Sequence, residues 1–489
     1  MTQLDIIRAG AGSGKTTELC QSVSTAVTGG LDPARVLATT FTKKAAAELK
    51  DRIQAKLIAG PGDRLAAQQQ ADRLELAAIG TVHSVAHQLL SRYAIELGLS
   101  PRLEVTTEEV SDRALSDLLG AIPMDAWQSL AASAERLGIS DLHRRILDLL
   151  AAKRGNRIGD DDFTDQMNKS ALRVCEIHAP EGVSSVESPN SHLYDLAEKA
   201  LANIESLTTD TTKVTEEAKQ KLIRLKSNRI SLWGSYLEAR KIKAVVKSGA
   251  NAMLDDLKNH AAEVSTNPQL HSNIQEFTSA LTAETIRLDS LYQTYKEERG
   301  LVDFTDLEIL LLKLLEDESL ATCLAEDFDL VLVDEFQDTN PLQLAIFQQL
   351  RRFSPRSRWV GDPKQAIYGF RDTDPALVDD IWNNATGATR SELPNNHRSQ
   401  RGLVQLIGEL FSPLFGDDAN QVPQKPALDR GVERWTFETT NQPGDQMALA
   451  CGVAQLNADG TKFGDIAILE RTHRLLPVSY THLTLPTKA

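Results

Sequence analysis

The sequence predicts an α/β protein in which a parallel sheet surrounds a phosphate-binding loop, a large all-helical insertion interrupts the sheet, and a second domain of the same kind begins near the end. Three observations predict this. A glycine-rich turn, AGAGSGKTT at Ala9–Thr17, stands between a β-rich run and a helical one. Short apolar runs then alternate with helical patterns as far as Glu104, the rhythm of βαβ units. Far downstream an apolar run ending in two acids, FDLVLVDEFQDTN, returns to complete the same sheet.

Each element follows in order. LDIIRA reads as the first strand, the segment after the turn as a helix, RVLATTF as the second strand and TKKAAAELKDRIQAKL as the helix after it. From Glu104 to Gly300 the strand signals vanish, and long polar helical segments such as DLHRRILDLLAAKR take over as an insertion. Thr305 followed by Glu308 reads as a capping box that starts the helix LEILLLKLLED and carries the chain back to the core. FDLVLVDE and SRWVGD then supply the strands that close a core split in sequence. FGDIAILERTHR reads as an early strand of the second domain. The expected division is 1–104 and 301–385 for the first α/β domain, 105–300 for the insertion and 386–475 for part of the second. The closing 476–489, which includes PVSYTHLTLPTKA, is expected to be a non-native tail.

Composition narrows the class. The four cysteines lie far apart, with no close pair or Cys/His cluster, so a disulfide framework, zinc site or iron–sulfur cluster is not expected among the 489 residues. No basic leader with an apolar run stands at the start, and no stretch of about 18 uncharged apolar residues occurs, so a soluble cytoplasmic protein is expected. The net charge of −15 leaves a nucleic-acid partner open, because charge is screened over about 8 Å at physiological salt and local patches decide binding.

The loop carries the first chemistry. Gly10, Gly12 and Gly14 let backbone amides converge on phosphate oxygens, with Ala9, Ala11, Ser13 and Thr17 completing the cradle. Lys15 reaches the β- and γ-phosphates and Thr16 can ligate Mg²⁺. Ala9 holds the place of the first glycine of the strict pattern. The acids of VDEFQD supply the other half: Asp334 for the metal shell and Glu335 to polarise the attacking water. ATP and Mg²⁺ are the expected cofactors.

With these residues in view, the chain resembles the UvrD/Rep/PcrA group of superfamily 1 DNA helicases, whose motors are RecA-like P-loop NTPase domains. TTFTKKAAAEL is similar to motif Ia, GTVHS to motif Ib, VDEFQD to motif II, VGDPKQAIYGFR to motif III and NNHRS to motif IV. The helical middle, with YKEERGLVDFTDL after it, is closer to the RecB/AddA branch. The resemblance implies 3′-to-5′ movement on single-stranded DNA and at junctions with duplex, in repair or recombination, with a nuclease or repair partner left open. It implies further that Gln365 contacts the γ-phosphate and that Arg398 is an arginine finger. Motif Ia makes Thr40, Phe41 and Thr42 strand contacts, and motif Ib does the same for Thr81, His83 and Ser84.

Phe41, Tyr368 and Phe370 stand in polar, glycine-containing stretches beyond strands, where stacking on bases explains an aromatic. Such stacking is worth about 1–3 kcal/mol per base without reading sequence. His83 and His87 form H-x-x-x-H, but Ser84 stands where a zinc protease needs Glu. In the insertion, Lys219, Lys221, Arg224, Lys226, Arg229, Arg240, Lys241, Lys243 and Lys247 flank Trp233 and Tyr236, a candidate phosphate-gripping segment or a solvated helix face.

Against the family pattern, Gln3 lies too close to the loop to serve as an adenine-reading glutamine, His397 replaces an adenine-stacking aromatic, and Val82 replaces a Phe in motif Ib. Motifs V and VI are not found before Ala489, and a missing second arginine finger costs about 10³ to 10⁵ in turnover. An N-terminal fragment of a helicase is therefore expected. A nucleotide- and strand-binding module without turnover is the alternative, and a P-loop ATPase acting on protein partners a third.

Overall fold

The computed structural model describes residues 3–60, 63–100, 102–178, 189–206, 212–226, 232–244, 250–367, 375–426, 434–436 and 442–469. They form two compact units, Met1–Arg398 and Ser399–Ala489.

The first unit opens with β1 (Gln3–Ala9), α1 (Lys15–Thr28), β2 (Val36–Thr40), α2 (Lys43–Ile58), α3 (Arg64–Arg73), β3 (Ala78–Thr81) and α4 (Val82–Arg92). After the insertion come α14 (Phe304–Glu316), α15 (Ala321–Asp327), β6 (Leu330–Val333), α16 (Pro341–Phe353), β7 (Arg356–Gly361), α17 (Pro375–Asn384) and β8 (Ala388–Leu393). Six of the strands make one parallel sheet in the order β3-β2-β6-β7-β1-β8. The two halves of the sequence interleave, since β6 and β7 lie between β2 and β1. Central strands are covered on both faces, which is why β6 reads LVLV with all four residues buried. One face packs Leu89, Leu311, Ile346, Phe347 and Trp359 from α4, α14, α16 and β7. The other packs Leu19, Val23 and Ile53 from α1 and α2 against Ala38, Leu332 and Val360. With all strands parallel, the loops after β1, β6 and β7 emerge at the same carboxyl edge, where open α/β sheets bind ligands.

The insertion leaves through β4 (Glu104–Val105) and returns through β5 (Leu301–Val302), which pair in parallel as a two-stranded neck. Between them run α5 (Glu108–Gly120), α6 (Met124–Leu137), α7 (Leu142–Gly155), α8 (Asp160–His178), α9 (Pro189–Glu205), α10 (Lys213–Lys226), α11 (Leu232–Lys241), α12 (Asp255–Glu263) and the long α13 (Pro268–Arg299). Trp233 and Tyr236 are buried in the insertion's own core with Leu222, Leu225 and Leu257, and the Trp233 indole donates to Asn273 Oδ1 at 3.0 Å. They are spaced to fill that core and are unavailable to bases. Lys219 and Lys241 pair with Glu216 and Glu238 on their own helices; Arg229 and Lys247 lie outside the described residues.

Three expectations shift. The capping box of α14 is built by Asp303 and Asp306, each accepting the other's backbone N–H at 2.8 and 2.9 Å, so the helix starts before Thr305. The reason is electrostatic: Lys296 and Arg154 hold both aspartates at that point. The first unit also runs past the expected boundary at 385, because Ala388–Leu393 hydrogen-bonds β1 as an edge strand. In the second unit, with α18 (Arg401–Phe415) and α19 (Gln442–Ala458), the expected strand in FGDIAILERTHR is not formed among the described residues. Phe463–Asp465 is a single 3₁₀ turn, and Ile466–Leu469 pairs with no strand. An apolar run becomes a strand only where a neighbour takes its backbone hydrogen bonds.

Candidate functional site

The loop between β1 and α1 is shaped by two glycines in the left-handed region, Gly12 at φ +77° and Gly14 at φ +94°. Ser13 N–H donates to Gly10 C=O at 3.1 Å, turning the loop under the helix that begins at Lys15. This leaves the amides at the start of α1 facing outward with the positive end of the helix dipole. Ala11 C=O accepts from Asn396 Nδ2 at 3.0 Å and Gly12 C=O from His397 N–H at 2.8 Å, so the NNHRS stretch is bonded directly to the loop. The approach is close: a Cβ on Gly12 would stand 2.6 Å from Arg398 Cβ.

Lys15 Nζ donates to Glu335 Oε2 at 2.5 Å, joining the loop after β1 to the turn after β6. Glu335 itself has φ +52°, a left-handed conformation that is costly for a residue with a side chain. Asp334 N–H donates to Thr39 C=O at 2.9 Å, anchoring the strand tip across the sheet. Burial, then the negative charge of Glu335, push the Asp334 carboxyl up to about 6, with Lys15 opposing. Gly12, Gly14, Lys15, Thr16, Thr17, Glu335, His397 and Arg398 line one cleft of about 250 Å³. Arg52 of α2 lines it too, a residue that sequence reasoning passed over because on a polar helix it reads as a solvated face.

The residues present fit a magnesium nucleotide. Asp334 sits where extra positive charge is favoured. Ser13 Oγ is buried without a hydrogen-bond partner among the described residues, a donor that a phosphate oxygen satisfies. The Thr16 hydroxyl and the Asp334 carboxylate are hard oxygen groups of the kind Mg²⁺ takes as ligands.

A second, larger cleft of about 980 Å³ brings together Thr40, Phe41, Thr81, His83 and Ser84. Sequence reasoning had grouped these as strand contacts from two separate motifs. Thr81 caps α4, its Oγ1 accepting from Ser84 N–H at 3.2 Å, and the two hydroxyls lie 2.8 Å apart. His83 Nε2 lies 3.1 Å from Glu308 Oε1, and its ring tilts against Phe304 at 4.8 Å. Glu308 in turn accepts from Gln343 Nε2 at 2.7 Å. Thr42 does not line this cleft; its side chain caps α2, accepting from Ala45 N–H at 3.1 Å. Tyr368 and Phe370 lie outside the described residues.

Gln365 does not line the nucleotide cleft. It closes a 3₁₀ turn after β7 and donates to Asp362 Oδ2 at 2.6 Å. Asp362 N–H donates to Gln337 Oε1 at 2.8 Å, and Gln337 Nε2 donates to Glu335 Oε2 at 2.8 Å. Gln337 and Asp362 therefore connect Gln365 to the acid that meets Lys15. Both stood inside quoted motifs without a role, because only the fold shows that β6 and β7 are neighbours.

The parallel sheet, the glycine-turned loop and the acid at the next-but-one strand tip define a P-loop nucleotide-binding domain of RecA-like topology. The chain belongs to the UvrD/REP helicase family, whose N-terminal domain matches residues 2–385. A protein of Latilactobacillus sakei, named as a subunit of an ATP-dependent helicase/nuclease, is 25% identical over 542 residues, covering 96% of this chain and 61% of the relative. Proteins of the same name from Geobacillus thermodenitrificans and Geobacillus kaustophilus are each 27% identical, covering 85% of this chain and 39% of theirs. The chain thus spans 39–61% of the length of these relatives. Among the described residues no helix is long and apolar enough to cross a membrane.

Proposed function

We propose that this chain is the ATP-driven motor part of a cytoplasmic DNA helicase of the helicase/nuclease type, moving 3′ to 5′ on single-stranded DNA and acting at junctions with duplex. In this reading 1–104 and 301–398 form the first motor domain, 105–300 the insertion, and 399–475 part of the second motor domain. One observation carries the reading: a single turn, Asp334–Asp338, reaches Lys15 at one end and the cleft of Thr40, Thr81 and His83 at the other.

Bound Mg·ATP supplies the phosphoanhydride to be cleaved and the charge that polarises it. Lys15 and the amides of Gly12 to Thr16 hold the phosphates, and Thr16 and Asp334 hold the metal. Glu335 orients the attacking water and takes its proton. Arg398, on the cleft wall beside Gly12, offers a planar guanidinium to the oxygens that gain charge. Gln365, through Asp362 and Gln337, senses the position of Glu335. On the other side Phe41 stacks on a base, while Thr81, His83 and Ser84 hold the strand's backbone. A nuclease chain or domain is the proposed partner, following the name the relatives carry.

The test is ATP hydrolysis with and without single-stranded DNA, for the chain and for Lys15→Ala. DNA-stimulated hydrolysis that Lys15→Ala abolishes supports the motor. Nucleotide and strand binding without turnover would leave a binding module instead, and hydrolysis indifferent to DNA would point to a protein-directed ATPase.

A further inference from the structure

We infer that Asp338 is a positioning residue that couples the strand cleft to the nucleotide site through the side-chain amide of Gln337, an inference that rests on the proposed reading of those two sites. Gln337 is buried, and its Oε1 accepts a backbone N–H, that of Asp362 at 2.8 Å. A backbone donor fixes which end of the amide is oxygen. The Nε2 end must then face the two carboxylates, donating to Glu335 Oε2 at 2.8 Å and Asp338 Oδ2 at 3.2 Å. Both amide protons are spent, one on the acid that pairs with Lys15 and one on an acid that lines the strand cleft.

The amide has little freedom. A Cβ on the neighbouring Gly361 would lie 2.7 Å from Gln337 Oε1, so the backbone already touches that side. Asp338 N–H donates to Glu335 C=O at 2.9 Å, closing the turn so that its parts move together. Displacing Asp338 therefore displaces the amide, and with it the partner of Glu335. Asp338 Oδ1 is buried with no hydrogen-bond partner among the described residues, an arrangement that favours any donor arriving there. A strand in the cleft brings donors on its bases and repelling charge on its phosphates, and either acts on this carboxylate. Burial, then the charge of Glu335, push the Asp338 carboxyl up to about 6.

The measurement is the affinity of the chain for a fluorescent oligo(dT), with and without Mg²⁺ and a non-hydrolysable ATP analogue, on the same preparation. Coupled sites typically change each other's affinity by about 5- to 150-fold. The wild-type ratio is expected in that range, and Asp338→Ala should bring it to about 2 or less. Gln337→Met, which removes the amide and leaves Asp338, should do the same. A ratio is indifferent to a uniform loss of folded protein, so a merely structural role does not move it. A wild-type ratio retained in either variant overturns the inference and leaves the site reading standing, as does a ratio of one in the wild type when both ligands bind. Failure of the wild type to bind either ligand overturns the site reading and the inference together.

Discussion

Asp303→Ala perturbs the joint between insertion and motor, and its size can be worked from the contacts. Asp303 is buried, accepts two hydrogen bonds from Arg154 at 2.8 and 3.1 Å and one from Lys296 at 3.0 Å, and caps α14. Burial pushes its carboxyl up, but the Arg154 hydrogen bonds and charge, with Lys296, outweigh burial and hold it below the ordinary carboxylate range. Removing one partner from a buried ion cluster costs about 3–5 kcal/mol, because Arg154 and Lys296 stay buried. Asp306 retains contacts to both cations, which places the expected loss toward the lower figure. Unfolding entropy of about 2.1 cal/mol/K per residue gives roughly 0.8 kcal/mol/K for the unit Met1–Arg398, so the thermal midpoint should fall by roughly 4–6 °C. The pH dependence has a fixed sign. A depressed carboxyl contributes fully above its unfolded value of about 3.9 and loses that contribution as pH falls through the lower folded value. The gap between wild type and variant should thus be constant from pH 5 to 8 and close only in strong acid. Calorimetry or fluorescence melts at pH 7 and pH 3 check this; a loss under about 1 kcal/mol at pH 7 would refute the reasoning.

Other perturbations have equally definite outcomes. Gly12→Ala places a Cβ against Arg398 and strains a φ of +77°, so nucleotide affinity should drop at least about tenfold in a binding titration while the melting curve of the insertion is kept. Asp334→Asn should stabilise the nucleotide-free protein by about 3 kcal/mol at pH 7.5, from a carboxyl raised from about 3.9 to about 6 at 1.36 kcal/mol per unit. A raised carboxyl destabilises the fold as pH rises through the folded value, so this gain should vanish below about pH 4, and melts at both pH values decide it. The same variant should lose hydrolysis, an exchange of stability for function. Glu308→Gln removes the charge opposite His83, and single-strand affinity measured against salt should change by several-fold with little change in hydrolysis measured without DNA.

The parts legible in the sequence were those encoded over short distances. The glycine loop and the strand ending in Asp334 and Glu335 each depend on residues a few positions apart, whereas the caps made by Thr42 and Thr81 emerge only in the fold. The parts not legible depend on neighbours far away in the chain. Asp303 displaced the Thr305 cap because Arg154 and Lys296 meet it from other helices. Trp233 and Tyr236 read only as aromatics within a basic segment because the core they fill is assembled from α9 to α12. Asn396 looked like part of a motif; in space it is a strut that holds the carbonyl of Ala11.

The left-handed Glu335 explains why one short turn can serve two sites. A strand carries successive side chains to opposite faces, so Asp334 and Glu335 in regular β geometry would diverge. The positive φ breaks that alternation immediately after Asp334, turning the chain into the 3₁₀ segment Phe336–Asp338 and directing the Glu335 carboxylate to Lys15. Such strain persists only when surrounding bonds over-determine it. Here they are the Lys15 ion pair, the Gln337 amide, the Asp338 N–H bond to Glu335 C=O, and the Asp334 N–H bond to Thr39. Three of the four involve groups that nucleotide or DNA would approach, so the turn is held by contacts its proposed ligands can exchange. That makes it the place in the sheet where binding on one side can be felt on the other.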